Sequence, residues 1–191
     1  MHILKVEPIT NEKWLNLFAA TFEHEGHHGR WVFASRKAHP HRDRAGDAVV
    51  IVPILRMPNE PPRLVLVKEF RVPVGDYVYG LPAGLLEKGE NAEDTARREM
   101  LEETGMEVVA IKRVTQPLYS SSGMTDESAA MAYVDVRTTS QTQPKLEASE
   151  DIEVVLLDFA GVCCLCDDAS ARIDAKAWMV LYAYRQVGQL V

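Results

Sequence analysis

The sequence predicts an α/β fold: a mixed sheet covered by helices and preceded by an N-terminal antiparallel β-hairpin. Three observations predict it. Residues 48–55 (AVVIVPIL) and 63–70 (RLVLVKEF) are unbroken apolar runs of strand length, the pattern of strands buried on both faces. Residues 91–104 space apolar side chains as a helix does, between a capping Asn91 and a terminating Gly105. Residues 13–36 set aromatic and β-branched arms on either side of a glycine-bearing connection, which is how a hairpin is written.

In chain order, KWLNLFAATFE and RWVFASRK are the arms of that hairpin, joined by HEGHHG. The connection contains a literal HExxH, His24 to His28. Zinc chemistry needs a helix that brings both imidazoles to one face, and Gly26 with its flanking strand patterns argues against a helix, so the motif reads as a decoy. Trp14 and Trp31 each carry a flat face that can fill a core or stack on a purine; taken alone they read as core residues. KAHPHRDRAGD reads as a linker, dividing the chain into an N-terminal hairpin region (1–45) and a main domain (46–191).

The two apolar runs are separated by RMPNEPP, and Arg71 follows the second directly. DYVYGLPAG (76–84) is a third short strand, whose end sets the Ala83 and Gly84 carbonyls beside the following helix. Residues 107–118 and 129–136 read as strands joined by the polar YSSSGMTDES, the kind of segment where functional loops sit. A strand at 152–157 follows a loop, 138–149, that carries Glu147, with Glu150 beside it. Cys163, Cys164 and Cys166 form CCLC, but no fourth ligand is near, and they read as buried small apolar residues on a short helix. Asp174 caps a last helix that bears Trp178, Leu181 and Tyr182 and ends before Gly188.

The helix at 91–104 holds more charge than folding alone favours. Glu93 and Asp94 sit at the positive end of its dipole, and Ala96, Met100 and Leu101 form its apolar face. In the last turn, however, Glu99, Glu102 and Glu103 crowd the negative end at i, i+3 and i+4. Like charges at this spacing cost a few tenths of a kcal/mol per pair, and a carboxylate at a helix C-terminus costs roughly 0.3–1 kcal/mol more. A bound divalent cation reverses both signs. An oxygen-only donor set, with no His or Cys on that face, suits Mg²⁺ or Mn²⁺ rather than zinc. Taken by itself the helix also fits a solvated acidic face partly neutralised by Arg98, which stands at i,i+4 to Glu102.

The wider stretch separates these readings. Residues 84–106, GLLEKGENAEDTARREMLEETGM, set Gly84, Glu90, Arg98, Glu99, Met100, Glu102, Glu103, Gly105 and Met106 in an order that resembles the Nudix box at every defined position. The flanking DAVVIVPIL, LVLVKEFRVPVGDYVYGLPAG, KWLNLFAATF and RWVFASRK are similar in order and spacing to ADP-ribose or ADP-sugar pyrophosphatases over nearly the whole chain. The resemblance implies a Nudix α/β/α sandwich and hydrolysis of a diphosphate linked to a nucleoside. It implies a metal site for Mg²⁺, or Mn²⁺, made by Glu99, Glu102 and Glu103 with Ala83 beside them.

It also implies a homodimer whose N-terminal hairpins pack or swap across a two-fold axis, with Trp14 and Trp31 clamping adenine. Arg36 and Arg71 would hold diphosphate or ribose oxygens, a task that suits a planar guanidinium. A carboxylate must orient or deprotonate the attacking water, and in similar enzymes it comes from a mobile loop outside the box. Glu150, directly ahead of the strand at 152–157, is the first choice, with Glu147 and Glu127 as alternatives; Arg98 is counted with this catalytic group. The chain departs from many relatives at Ser121-Ser122-Gly123, where they carry Ser-Pro-Gly.

Composition bounds the rest. The 191 residues are 47% hydrophobic and 26% charged, which fits one domain with a small extension. A net charge of -7 argues against coating a nucleic acid. No apolar run approaches the ~18–20 residues of a membrane span, and MHILKVEPITNEKW lacks a signal-peptide core, so the protein reads as cytoplasmic. The expected activity is Mg²⁺-dependent hydrolysis of ADP-ribose or a related ADP-sugar, a small-molecule nucleotide sugar, to AMP and a sugar phosphate. The alternatives are a pyrophosphatase for a UDP- or GDP-sugar, and a non-catalytic ADP-ribose sensor. Against the sensor, every box acid is intact and the sequence leaves no room for a helix-turn-helix module.

Overall fold

The computed structural model describes residues 1–41, 46–139, 144–146 and 150–188. In chain order its elements are β1 (His2–Pro8), β2 (Asn16–His24), β3 (His27–Ser35), β4 (Ala48–Leu55), β5 (Arg63–Arg71), β6 (Asp76–Gly80), β7 (Ala83–Leu85), α1 (Ala92–Thr104), β8 (Met106–Val114), β9 (Leu118–Tyr119), β10 (Ser128–Thr138), β11 (Ile152–Leu157), α2 (Phe159–Asp167) and α3 (Ala175–Val187). Contacts divide the chain into a first unit, Met1–Asp47 with Gln116–Ala129, and a second, Ala48–Thr115 with Ala130–Val191.

The first unit is built on an antiparallel sheet in the order β1-β2-β3. Its hairpin closes more tightly than the six-residue connection expected from sequence: only Glu25 and Gly26 turn, both with positive φ, as in the mirror-image turns that match strand twist. His24 therefore pairs with His27, and His28 pairs with Glu23. Alternation along the strand turns His24 and His28 to opposite faces, so the HExxH cannot gather on one metal. β1 adds a strand that the sequence reading passed over.

Phe18, Ala20 and Phe33 form the small core of this unit, with Val6 packed on them. The segment expected as a plain linker is fastened at its ends: Lys37 Nζ lies 3.3 Å from Asp47 Oδ2, both side chains nearly buried, and the same oxygen accepts the Ser128 N–H at 2.9 Å. β9 pairs with Ser128 and Ala129, the first residues of β10.

The second unit carries a sheet in the order β11-β5-β4-β10-β8, with β6 on β5 and β7 on β4. Val49, Ile51, Leu55 and Val65 pack with Ala96 and Met100 of α1. The alternate residues Val50, Val52, Ile54, Leu64 and Leu66 are also buried, so both faces of these strands are covered and the apolar runs need no polar alternation. Each such side chain contributes roughly 1.5–3 kcal/mol of burial. α2 and α3 pack on each other and on β11 and β6. The expected α/β architecture is what forms.

Two local expectations change. The strand at 76–84 breaks at Leu81-Pro82, because proline has no N–H for the ladder; the Pro82 carbonyl instead accepts the Ile51 N–H at 2.8 Å, and the chain leaves β5 for β4. The cysteines do lie on a short helix, but they are not its buried face. Val162 and Leu165 are buried, whereas Cys163 and Cys166 are half-buried and Cys164 is exposed. Among the described residues no helix is long and apolar enough to cross a membrane.

Candidate active site

Local rules fix α1 at both ends. Asn91 Oδ1 accepts the N–H groups of Glu93 and Asp94 at 2.8 and 3.0 Å, and the Asp94 carboxylate returns a bond to the Asn91 N–H. At the other end Gly105 takes φ 69°, which lets its N–H reach the Leu101 carbonyl. This phase turns Thr95, Ala96, Met100, Glu103 and Thr104 inward. A carboxylate thus goes into the core face.

Gly84 is needed for a neighbour rather than for its own backbone. A Cβ there would lie 1.7 Å from Glu99 Oε1, so the missing side chain is what lets the Glu99 carboxylate lie over the β7 backbone.

Glu103 is only 6% exposed, and its Oε2 is buried without a hydrogen-bond partner. Burial pushes its pKa up to about 8; Glu99, Glu69 and Glu150 push the same way, and the Ala83 N–H opposes them. Burial also raises Glu99, against the pull of Arg98. An unsatisfied buried charge costs more than the ~1–3 kcal/mol of an unmade neutral bond, so folding alone does not favour Glu103 at this position. A solvated acidic face would not bury it.

The outer side of the same motif is fully engaged. Arg98 Nε lies 2.9 Å from Glu90 Oε1, and its Nη1 lies 2.6 Å from Glu99 and 3.1 Å from Glu102. Its Nη2 also donates to the Leu85 carbonyl. Glu90 accepts from Arg98 and from the Thr95 hydroxyl, and these bonds, Arg98 first, hold its carboxyl down at about 2. Among the described residues no three Asp, Glu, His or Cys side chains already stand at metal-ligand spacing. Arg98 holds Glu99 and Glu102 instead. The donor set is nonetheless what a hard divalent cation requires: carboxylate oxygens, one of them buried and unpartnered.

The other residues singled out in the sequence fall as follows. In the second unit, Glu150 lies within electrostatic reach of Glu69, Glu99 and Glu103. Arg71 Nη2 is 2.8 Å from Glu69 Oε2. Ala83 pairs with Val50 across β7 and β4, and its N–H faces Glu103. Glu147 lies outside the described residues. In the first unit, Glu127 accepts from the Ser120 hydroxyl at 2.9 Å and pairs with Arg36 at 3.5 Å.

Trp14 and Trp31 are 68% and 55% exposed, so neither is a core residue. The Trp31 indole N–H donates to the Gly123 carbonyl at 3.0 Å, which fixes the ring while its face stays open. Arg36 also lines a cleft of about 1410 Å³ that belongs wholly to this unit, together with Lys5, Lys13, Lys37 and His39.

Sequence reasoning missed Glu69, a charged residue inside an apolar strand run, which was the available signal. It also missed the clasp in which the Tyr77 hydroxyl donates to Asp151 while the Phe70 N–H donates to the Asp151 carbonyl. That clasp fastens the residue beside Glu150 to the neighbouring strands.

Comparison with known proteins bears on the family and the fold. The family model of the NUDIX domain matches residues 45–177. A candidate nudix hydrolase of Caenorhabditis elegans is 30% identical over 183 residues, covering 93% of this chain and 81% of that protein. The ADP-ribose pyrophosphatase of Bacillus subtilis is 34% identical over 120 residues, 63% of this chain and 64% of its own. The ADP-sugar pyrophosphatase of Mus musculus is 34% identical over 106 residues, 54% of this chain and 48% of its own. A crystal structure of an ADP compounds hydrolase superposes with a TM-score of 0.71 at 19% identity, over 97% of this chain and 92% of that one, which speaks to the fold alone.

Proposed function

The chain belongs to the Nudix hydrolase family, and from that premise we propose that it is a Mg²⁺-dependent pyrophosphatase that cleaves ADP-ribose or a related ADP-sugar to AMP and a sugar phosphate. The observation that carries this reading is Glu103, a buried carboxylate with an unpartnered oxygen in the last turn of α1, beside Glu99. The substrate class is supported by similarity to an ADP-ribose pyrophosphatase and an ADP-sugar pyrophosphatase.

Members of the family generally use divalent metal ions. Here Glu99, Glu102 and Glu103 would hold Mg²⁺, or Mn²⁺, with Ala83 beside them, and the bound ion would screen the diphosphate and polarise the attacked phosphorus. Arg98, anchored on Glu90, keeps Glu99 and Glu102 on one side of the helix. Glu150 is the proposed base: its carboxylate would take a proton from the attacking water, whose oxygen would bond to the phosphorus as the anhydride bond breaks and the other phosphate leaves with the bridging oxygen. Glu147 and Glu127 are the alternatives, and Glu127 would first have to leave Arg36.

Arg71 and Arg36 are proposed to bind diphosphate or ribose oxygens. Trp14 and Trp31 are proposed to stack on adenine; both are exposed, and Lys13 Nζ stands 4.3 Å from the Trp14 ring centroid over one of its faces. A homodimer is proposed through the first unit, whose exposed Ile3, Leu4, Leu17 and Val32 are apolar surface that a second copy would cover.

The test is product analysis after incubation of ADP-ribose, ADP-glucose, UDP-glucose, GDP-mannose and NADH with and without Mg²⁺. AMP released fastest from ADP-ribose, and only with metal, is the expected result. A UDP- or GDP-sugar cleaved fastest leaves the carboxylate chemistry but removes the adenine clamp. Binding of ADP-ribose without turnover of anything makes the protein a sensor. Trp31→Ala is expected to raise KM for the adenine substrate more than it lowers kcat; an unchanged KM removes Trp31 from the site.

A further inference from the structure

Glu69 and Arg71 stand two residues apart on β5, and strand alternation puts them on one face. Arg71 Nη2 lies 2.8 Å from Glu69 Oε2. The two side chains are unequal in environment: Glu69 is 15% exposed and Arg71 48%. β11 runs beside them, with Ile152 opposite Glu69 and the Phe70 N–H bonded to the Asp151 carbonyl at 3.1 Å. The ladder therefore brings Glu150 to the Arg71 end of β5, and Glu69 lies within electrostatic reach of both Glu150 and Glu103.

A mostly buried carboxylate in the run LVLVKEF is not what packing selects. Its desolvation must be offset by a partner, and the partner is Arg71. An arginine has a long, rotamer-rich side chain, and ordering it on substrate binding costs affinity unless it is ordered beforehand. A carboxylate that grips one edge of the guanidinium does that in advance, leaving a planar fork set for a second anion.

We propose that Glu69 is a positioning residue, which holds the Arg71 guanidinium at the angle from which its remaining N–H groups meet the diphosphate of the substrate. This inference rests on the nucleotide-sugar reading of the site and on the proposed role of Arg71 within it. A bare negative charge beside the diphosphate would act in the opposite sense, repelling the ligand, so the sign of a single substitution separates the two roles.

The experiment measures ADP-ribose affinity of the full chain by calorimetry without divalent metal, for the wild type, E69A, E69Q, R71A and the double variant E69A/R71A. Melting curves identify any variant that fails to fold, and E69Q, which keeps side-chain volume and an acceptor oxygen, decides the matter if E69A unfolds. The expected result is a loss of affinity of roughly 3–10-fold for E69A and a smaller loss for E69Q. R71A loses at least as much as E69A, and the double variant is no weaker than R71A alone, since Glu69 acts only through Arg71. With Mg²⁺, E69A raises KM more than it lowers kcat.

Wild-type or tighter binding by E69A, or by E69Q where it decides, overturns the proposal. Additive losses in the double variant overturn it too. A wild type that binds no ADP-ribose overturns the substrate reading and the role of Glu69 with it, whereas a binding wild type with unaffected variants removes Glu69 alone.

Discussion

Glu90 and Glu103 belong to one short motif and meet opposite environments. Glu90 accepts two bonds from Arg98 and one from Thr95, and its carboxyl is held down at about 2. Glu103 is buried with an unpartnered oxygen among other acids, and its carboxyl is pushed up to about 8. The first arrangement is complete as it stands. The second is complete only when a cation or a proton joins it. What separates the acid that organises the motif from the acid proposed to hold the metal is therefore satisfaction of the carboxylate, since residue type is the same.

The largest effect is expected from replacing the Glu103 carboxyl, which no amide can match as a metal ligand. Glu103→Gln should lower Mg²⁺-dependent kcat by at least ~10²-fold, because even indirect partners of a metal site cost 10–100-fold. Its metal-free stability at neutral pH should hold or rise, by roughly 1–3 kcal/mol, since folding no longer has to protonate a buried carboxyl. Chemical denaturation beside steady-state kinetics checks both, and a variant that unfolds would return Glu103 to a purely structural role.

Gly84→Ala reaches the same site from the backbone. The new Cβ must displace the Glu99 carboxylate, and activity should fall roughly 10–100-fold. Wild-type kinetics with an intact fold would show that the position of Glu99 does not matter.

Acidity sharpens the contrast, because the two carboxyls give slopes of opposite sign in separate windows. Glu103 is raised from 4.5 to about 8, so between those values the native state holds a proton that the unfolded state has lost. Metal-free stability should accordingly fall as pH rises through that window, by at most about 1.4 kcal/mol per pH unit, and Glu103→Gln should flatten the curve. Glu90 is lowered, so its stabilisation is present above 4.5 and lost as pH falls toward about 2. Denaturation midpoints across pH in wild type and variant test the pair of signs.

The smallest effect is expected from the satisfied acid. Glu90→Gln frees Arg98 to compete for Glu99 and Glu102, so half-maximal activity should need more Mg²⁺, near the lower end of the roughly 10–100-fold range for indirect partners. A metal titration that matches wild type would mean Arg98 does not compete with the cation.

Much of this arrangement is legible in the sequence where local rules decide it. Asn91 and Gly105 bound α1 as capping chemistry requires, and the strands expected at 48–55 and 152–157 are β4 and β11 at the same residues. What the sequence hides is whatever depends on partners distant in the chain. β1 exposes most of its side chains, so it has no buried alternation to read. The break between β6 and β7 follows from Pro82 changing its partner strand. The three glutamates of the last turn look alike in sequence, and only the phase of the helix against the sheet makes Glu103 the buried one. Glu69 does stand out as a charge in an apolar run, but its neighbours are set only when β11 is laid beside β5. Trp14 and Trp31 read as core because most tryptophans are, whereas Trp14 lies in the exposed bend before β2 and Trp31 on an exposed position of β3.

If the protonated, unpartnered Glu103 marks a divalent-cation site, the cation should displace its proton on binding. Calorimetric titration of Mg²⁺ at pH 7, in two buffers of different ionisation enthalpy, should show binding with release of roughly one proton, and Glu103→Gln should release none. Binding without proton release, or the same release from the variant, would contradict it.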